Sequence, residues 1–223
     1  MMLEIVCCSV EDIRVAEAAG ATQFELCTGI EVGGLTPSLA LIRQARKATQ
    51  QPIYSMVRPR PGDFAYSKSE IETMVEDAHI MAEEGMDGIV FGILTASNTL
   101  HSPAMAHVQS SAPSLEFICH RAFDHTPNLD RSCQELIALG FNRILLSGGT
   151  KSALEGASTL RSLNEKFGDR IQLLPGGGIR AHNAKEVLDS TGIARLHLAP
   201  FVGNSLDAEV IQEVRRELVD FIS

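Results

Sequence analysis

Glu25 and Cys27 stand two residues apart in TQFELC at 22–27, and Met56 and Arg58 keep the same interval in PIYSMVR at 52–58. His120 closes LEFICH, Arg121 follows it, and His197 sits inside ARLHLA at 194–199. Each run is short, apolar and rich in β-formers, so a period of two sends alternate side chains to one face of a strand. In LEIVCC at 3–8 that period sets Glu4, Val6 and Cys8 on one face and Leu3, Ile5 and Cys7 on the other. Phe24, Leu26, Phe117, Cys119, Leu196 and Leu198 fall on the opposite, apolar face of their own strands. The polar set is then Glu4, Glu25, Cys27, Arg58, His120 and His197. A carboxylate beside an imidazole suits proton transfer, an arginine fork suits a carboxylate or phosphate, and thiols with imidazoles suit a soft metal ion. The plainer alternative is a self-satisfied internal network. In it Arg58 and Arg121 neutralise the glutamates, or Arg58 pairs with Glu25 or Asp63.

Residues so scattered along the chain can meet only if the elements that carry them converge. Apolar runs at 3–8, 22–27, 52–58, 87–93, 115–121, 142–148, 170–176 and 194–199 alternate with amphipathic stretches, the pattern of repeated βα units. SKSEIETMVEDAHIMAEEG is the clearest helix, with Ser67 and Glu70 as a capping box and Gly85 as the stop; Ser9 caps another. The serines and prolines of 97–113 leave room for a short helix only. Eight such units without a linker, in a chain of 223 residues, predict an α/β fold, a (β/α)8 TIM barrel forming a single domain over 1–223. An open eight-stranded doubly wound sheet is the alternative. In a barrel the polar set faces the lumen, and much of it lies near the C-terminal strand ends, where such folds carry their sites.

The loops add to this. Pro59 and Pro61 stiffen the chain beyond Arg58, and PGDF turns it back. SGGTKSALEG and LPGGGIR are glycine clusters after the sixth and seventh runs, and Gly176, Gly177 and Gly178 make a candidate anion pocket. Such glycines also serve any tight turn. Lys47, Lys68, Lys151, Lys166 and Lys185 all fall in predicted helices or loops, so no strand offers a Schiff-base lysine.

A net charge of −9 without a cationic cluster argues against nucleic acid as partner. No apolar stretch nears the roughly 20 residues needed to cross a bilayer, and the start MMLEIVCCSV lacks a cationic leader region, so a cytoplasmic chain is expected. The 5 cysteines, an odd number without disulfide spacing, are expected to be reduced thiols.

FELCTGIEVGGLTPS, MVRPRPGDFAYS, DGIVFGILT, CHRAFD, GFNRILLSGG, ALEG and LPGGGI, in this order, resemble the CutC copper homeostasis family across essentially the whole chain. The resemblance implies a cytoplasmic TIM barrel, a homo-oligomer, linked to copper tolerance and to copper binding, with no settled enzymatic activity. Three departures stand out. The family's first-strand cysteine, which pairs with that of ELC for Cu(I), aligns with Val6; Cys119 stands where the family has Phe; and Leu198-Ala199 replaces a serine-bearing pair. Cys27 is retained, and Cys8 can supply the missing thiol one step along the strand. Cu(I) accepts two or three soft ligands, so the metal set is Cys27 with Cys8 and with His120 or His197; two reduced thiols without metal are the alternative. The competing class is an enzyme for a small carboxylated or phosphorylated metabolite. There Glu25 or Glu4 would be the base, His120 or His197 the acid, and Arg58 and Arg121 the anchors.

Overall fold

The eight apolar runs become eight parallel strands because each is an apolar β-former bounded by turn residues. The computed structural model describes residues 1–203 and 205–218. In chain order these are β1 (Met2–Cys7), β2 (Gln23–Leu26), β3 (Ile53–Met56), β4 (Gly88–Phe91), β5 (Glu116–Cys119), β6 (Arg143–Leu146), β7 (Gln172–Pro175) and β8 (Arg195–Leu198). They pair in the order β7-β6-β5-β4-β3-β2-β1-β8, and a parallel bridge between Gly176 and His197 closes the ring. The doubly wound alternative is thereby set aside.

Among the described residues eight α-helices alternate with the strands: α1 (Val10–Ala18), α2 (Leu39–Ala48), α3 (Lys68–Glu83), α4 (Ser102–Ser110), α5 (Leu129–Ala138), α6 (Ala157–Phe167), α7 (Ala181–Thr191) and α8 (Ala208–Glu217). Ser9 caps α1, and α3 begins with the Ser67–Glu70 capping box. The short helix of the 97–113 segment is α4, whose first turn holds Pro103 and whose cap is His101, with Nδ1 accepting from the Ala104 amide at 3.3 Å. A two-stranded hairpin, β9 (Phe201–Val202) and β10 (Ser205–Leu206), precedes α8 and carries no signal that the strand pattern exposes.

Strand alternation divides the interior as the period of two requires. Leu3, Ile5, Cys7, Phe24, Leu26, Cys119, Leu196 and Leu198 are buried in the layer between barrel and helices. Val6, Cys27, Tyr54, Met56, Val90 and Ile118 form a separate cluster inside the barrel, with Cys8 packed on it. Several runs outlast their strands. Pro59 biases Arg58 away from regular pairing and offers no amide of its own, so β3 stops at Met56. His120 leaves β5 to cap the 3-10 turn Arg121–His125. Both side chains therefore stand on loops at the C-terminal mouth of the barrel.

Candidate functional site

Cys8 and Cys27 sit at the ends of the adjacent strands β1 and β2. Their Sγ atoms are 3.8 Å apart, with Cys27 fully buried and Cys8 half-buried. The sulfur contact with Cys27 holds Cys8 below its ordinary thiol value, against its own burial. The same contact, together with burial, pushes Cys27 up. Cys8 is thus the first of the two to ionise. Cys7 faces the helix layer, where burial raises its thiol well above the usual range. Among the described residues, the one trio of His, Cys, Asp or Glu side chains with ligand atoms within 4.8 Å of one another is Glu4, Glu25 and His197. The structure therefore brings together the two cysteines of the expected metal set and leaves His120 and His197 elsewhere.

That trio lies deep in the lumen. His197 Nδ1 is 2.7 Å from Glu4 Oε1; the carboxylate can only accept, so the ring donates. Glu4 Oε2 takes Gln23 Nε2 and Arg143 Nη1, the latter at 3.3 Å. Arg143 also lies 4.7 Å from the centre of the Tyr54 ring and 3.7 Å from Glu116. Burial raises Glu4, but the His197 hydrogen bond and the charges of His197 and Arg143 outweigh it and hold the carboxyl below its usual range. Burial lowers His197, and the two carboxylates outweigh that and raise it. Glu25 has no such compensation. Burial, with the charge of Glu4 adding and that of His197 opposing, pushes it up to about 7, and its Oε2 has no hydrogen-bond partner among the described residues.

Arg143 is the buried cation that sequence reasoning missed, and it corrects the expected neutralisation of the glutamates by Arg58 and Arg121. The period of two does place it in the lumen, yet in Arg143-Ile144-Leu145-Leu146 both faces carry leucine or isoleucine and the contrast is faint. Arg58 pairs with neither Glu25 nor Asp63. Its Nη1 donates to the carbonyls of Val32 and Gly34 at 2.8 and 3.0 Å, its Nη2 to that of Gly62 at 2.9 Å, and Phe64 lies against it. Asp63 goes instead to Arg60, which also holds Glu70 at 2.6 Å. Arg121 donates to Asp124, to Ser147 Oγ and to the Thr150 carbonyl.

His120 is buried against Phe64, ring centroids 4.8 Å apart. Burial, helped by the Arg58 charge, pushes it down to about 3, so it stays neutral. Nδ1 accepts from the Ala122 amide at 3.2 Å, and Nε2 is unpartnered among the described residues. Gly92 makes room, since a Cβ there would stand 3.0 Å from the ring.

A cavity of about 450 Å³ opens at this mouth, within the roughly 300–1,000 Å³ of small-ligand pockets. Glu25, Arg58, His120, Arg121, Gly177, Gly178 and His197 all line it, with Arg180, Phe64 and apolar wall residues. Gly177 and Gly178 adopt φ of +102° and +71°, and Arg121 Nη1 lies 3.3 Å from where a Gly177 Cβ would be. Gly176 stands in the barrel-closing bridge instead of the lining, and neither Cys8 nor Cys27 lines the cavity. The mouth therefore carries two arrangements, a thiol pair suited to a soft ion and a cation-rimmed cavity suited to a small anion.

Comparison with known proteins places the chain. The model of the CutC family matches residues 1–201. The family protein CutC of Vibrio parahaemolyticus is 39% identical over 199 residues, covering 88% of this chain and 81% of that protein. The human copper homeostasis protein cutC homolog is 37% identical over 196 residues, covering 88% and 72%. A crystal structure of CutC from Streptococcus agalactiae superposes with a TM-score of 0.85 at 31% identity, covering 88% of this chain and 97% of that one. Thiamine phosphate pyrophosphorylase from Pyrococcus furiosus, at 17% identity and a TM-score of 0.66 over 100% of this chain and 97% of that one, shares the barrel fold.

Proposed function

Because this chain belongs to the CutC family, we propose that it serves copper homeostasis in the cytoplasm and that Cys8 and Cys27 take Cu(I) between them. The observation that carries this reading is the 3.8 Å between the two sulfurs. Two sulfurs this close would serve together as thiolate ligands to one soft ion, the class to which Cu(I) belongs. Half-buried Cys8, the more readily ionised thiol, and buried Cys27 would hold the ion, and each would give up its proton to bind it. The name of the human relative supports the general role. Val6 leaves the first strand without the family's cysteine, and Cys8, two residues further along, restores a thiol facing Cys27. A reducing cytosol keeps both available.

The test is a Cu(I) competition titration against a chelator under anaerobic, reducing conditions. Cys27→Ala is expected to lower affinity at least tenfold. Arg58→Ala is expected to leave it unchanged, because Arg58 is bound to backbone carbonyls and touches neither thiol. Equal affinity in wild type and Cys27→Ala removes the thiol pair from the reading.

A further inference from the structure

Three buried side chains that line the mouth cavity carry polar atoms without partners among the described residues: the donors Arg58 Nε and His120 Nε2, and the oxygen Glu25 Oε2. His120 accepts the Ala122 amide at Nδ1, so its proton is on Nε2, a donor with no acceptor among the described residues. Glu25 Oε2 is an oxygen with no donor. Leaving such groups unmet costs about 1–3 kcal/mol each, and native structures rarely tolerate several in one place without a water, an ion or a ligand to meet them. The charged groups around them are mostly cations. Arg58, Arg121 and Arg180 line the cavity, and among the described residues Glu25 is its only carboxylate. Arg121 directs Nε and Nη2 to protein acceptors, while Nη1, beside side-chain-free Gly177, makes no protein hydrogen bond among the described residues. Between these polar points the walls are apolar, with Val6, Met56, Phe64 and Leu145 offering contact to a short carbon skeleton.

We propose that this cavity binds a small metabolite with two polar ends, an oxyanion taken by His120 Nε2 and the Arg121 and Arg180 guanidiniums, and a hydroxyl or amino hydrogen accepted by Glu25 Oε2. Phosphate and carboxylate share the oxyanion chemistry. The site is separate from the thiol pair, which lies outside the lining, so it stands or falls independently of copper.

The experiment uses metal-free wild-type protein labelled with ¹⁵N-histidine, and calorimetric titration with glycerol 3-phosphate and with glycerate. Inorganic phosphate and glycerol serve as the separate halves. One of the two-ended probes is expected to saturate the site at least tenfold more tightly than inorganic phosphate and to move the His120 Nε2 resonance; which one does so identifies the oxyanion. Arg121→Gln should weaken that probe about tenfold, and Glu25→Leu, which removes the acceptor, should abolish its advantage over inorganic phosphate. The proposal is overturned if neither two-ended probe binds more tightly than phosphate, or if binding leaves the His120 resonance where it was. Both of those readouts come from the wild type and hold even if a variant fails to fold.

Discussion

Glu25 is the buried carboxylate that no guanidinium claims, since Arg143 goes to Glu4 and Arg58 to the carbonyls of Val32, Gly34 and Gly62. Its pKa of about 7, against an ordinary 4.5, means that the folded chain holds a proton there which the unfolded chain releases. That contribution is fully present below pH 4.5 and is lost as pH rises to about 7. Glu25→Gln, which cannot lose the proton, should therefore match the wild type near pH 4.5 and exceed it above pH 7 by about 3 kcal/mol. Urea unfolding at both ends of that range measures the difference, and equal stability at both would refute it. Parity made Glu25, Cys27, His120 and His197 legible as lumenal residues. It could not say that Glu4, and not Glu25, would have the cation.

At the scale of elements, the doublet Arg58 and Arg60 shows how one loop is fixed from both sides. Arg58 ties the loop after β3 to the loop after β2, and Arg60 ties it to the first turn of α3 through Glu70. The prolines made the rigidity of that stretch visible in the sequence. The carbonyl partners were not visible, because a backbone acceptor has no side-chain identity to read. The glycine turn after β6 is equally tight. A Cβ on Gly156 would stand 1.9 Å from the carbonyl oxygen of Ser147, the residue whose Oγ and amide Arg121 and Asp124 hold. Gly156→Ala should thus cost about 1–3 kcal/mol by forcing backbone apart, read as a lower urea midpoint. An unchanged midpoint would show that the turn can yield.

For the whole molecule, Arg143 joins distant parts of the chain inside the ring. From β6 it meets Glu4 of β1, Tyr54 of β3 and Glu116 of β5. Arg143→Met should destabilise the protein by about 3 kcal/mol, because Glu4 would keep its buried charge with one cation fewer; adding Glu4→Gln should recover part of that loss. Equal stability of wild type and Arg143→Met would mean that His197 alone suffices for Glu4. By itself the sequence determined the eight βα units, the strand faces and the family, because period, caps and motifs are properties of neighbouring residues. The ring closure at Gly176 and His197, the approach of Cys8 to Cys27, and the partners of each buried charge were decided only by the tertiary structure. The ring closure, the thiol pair and the Glu4–His197 bond join residues that the chain separates by 19 to 193 positions, and local spacing holds no record of which charge a closed barrel will bring nearest to which.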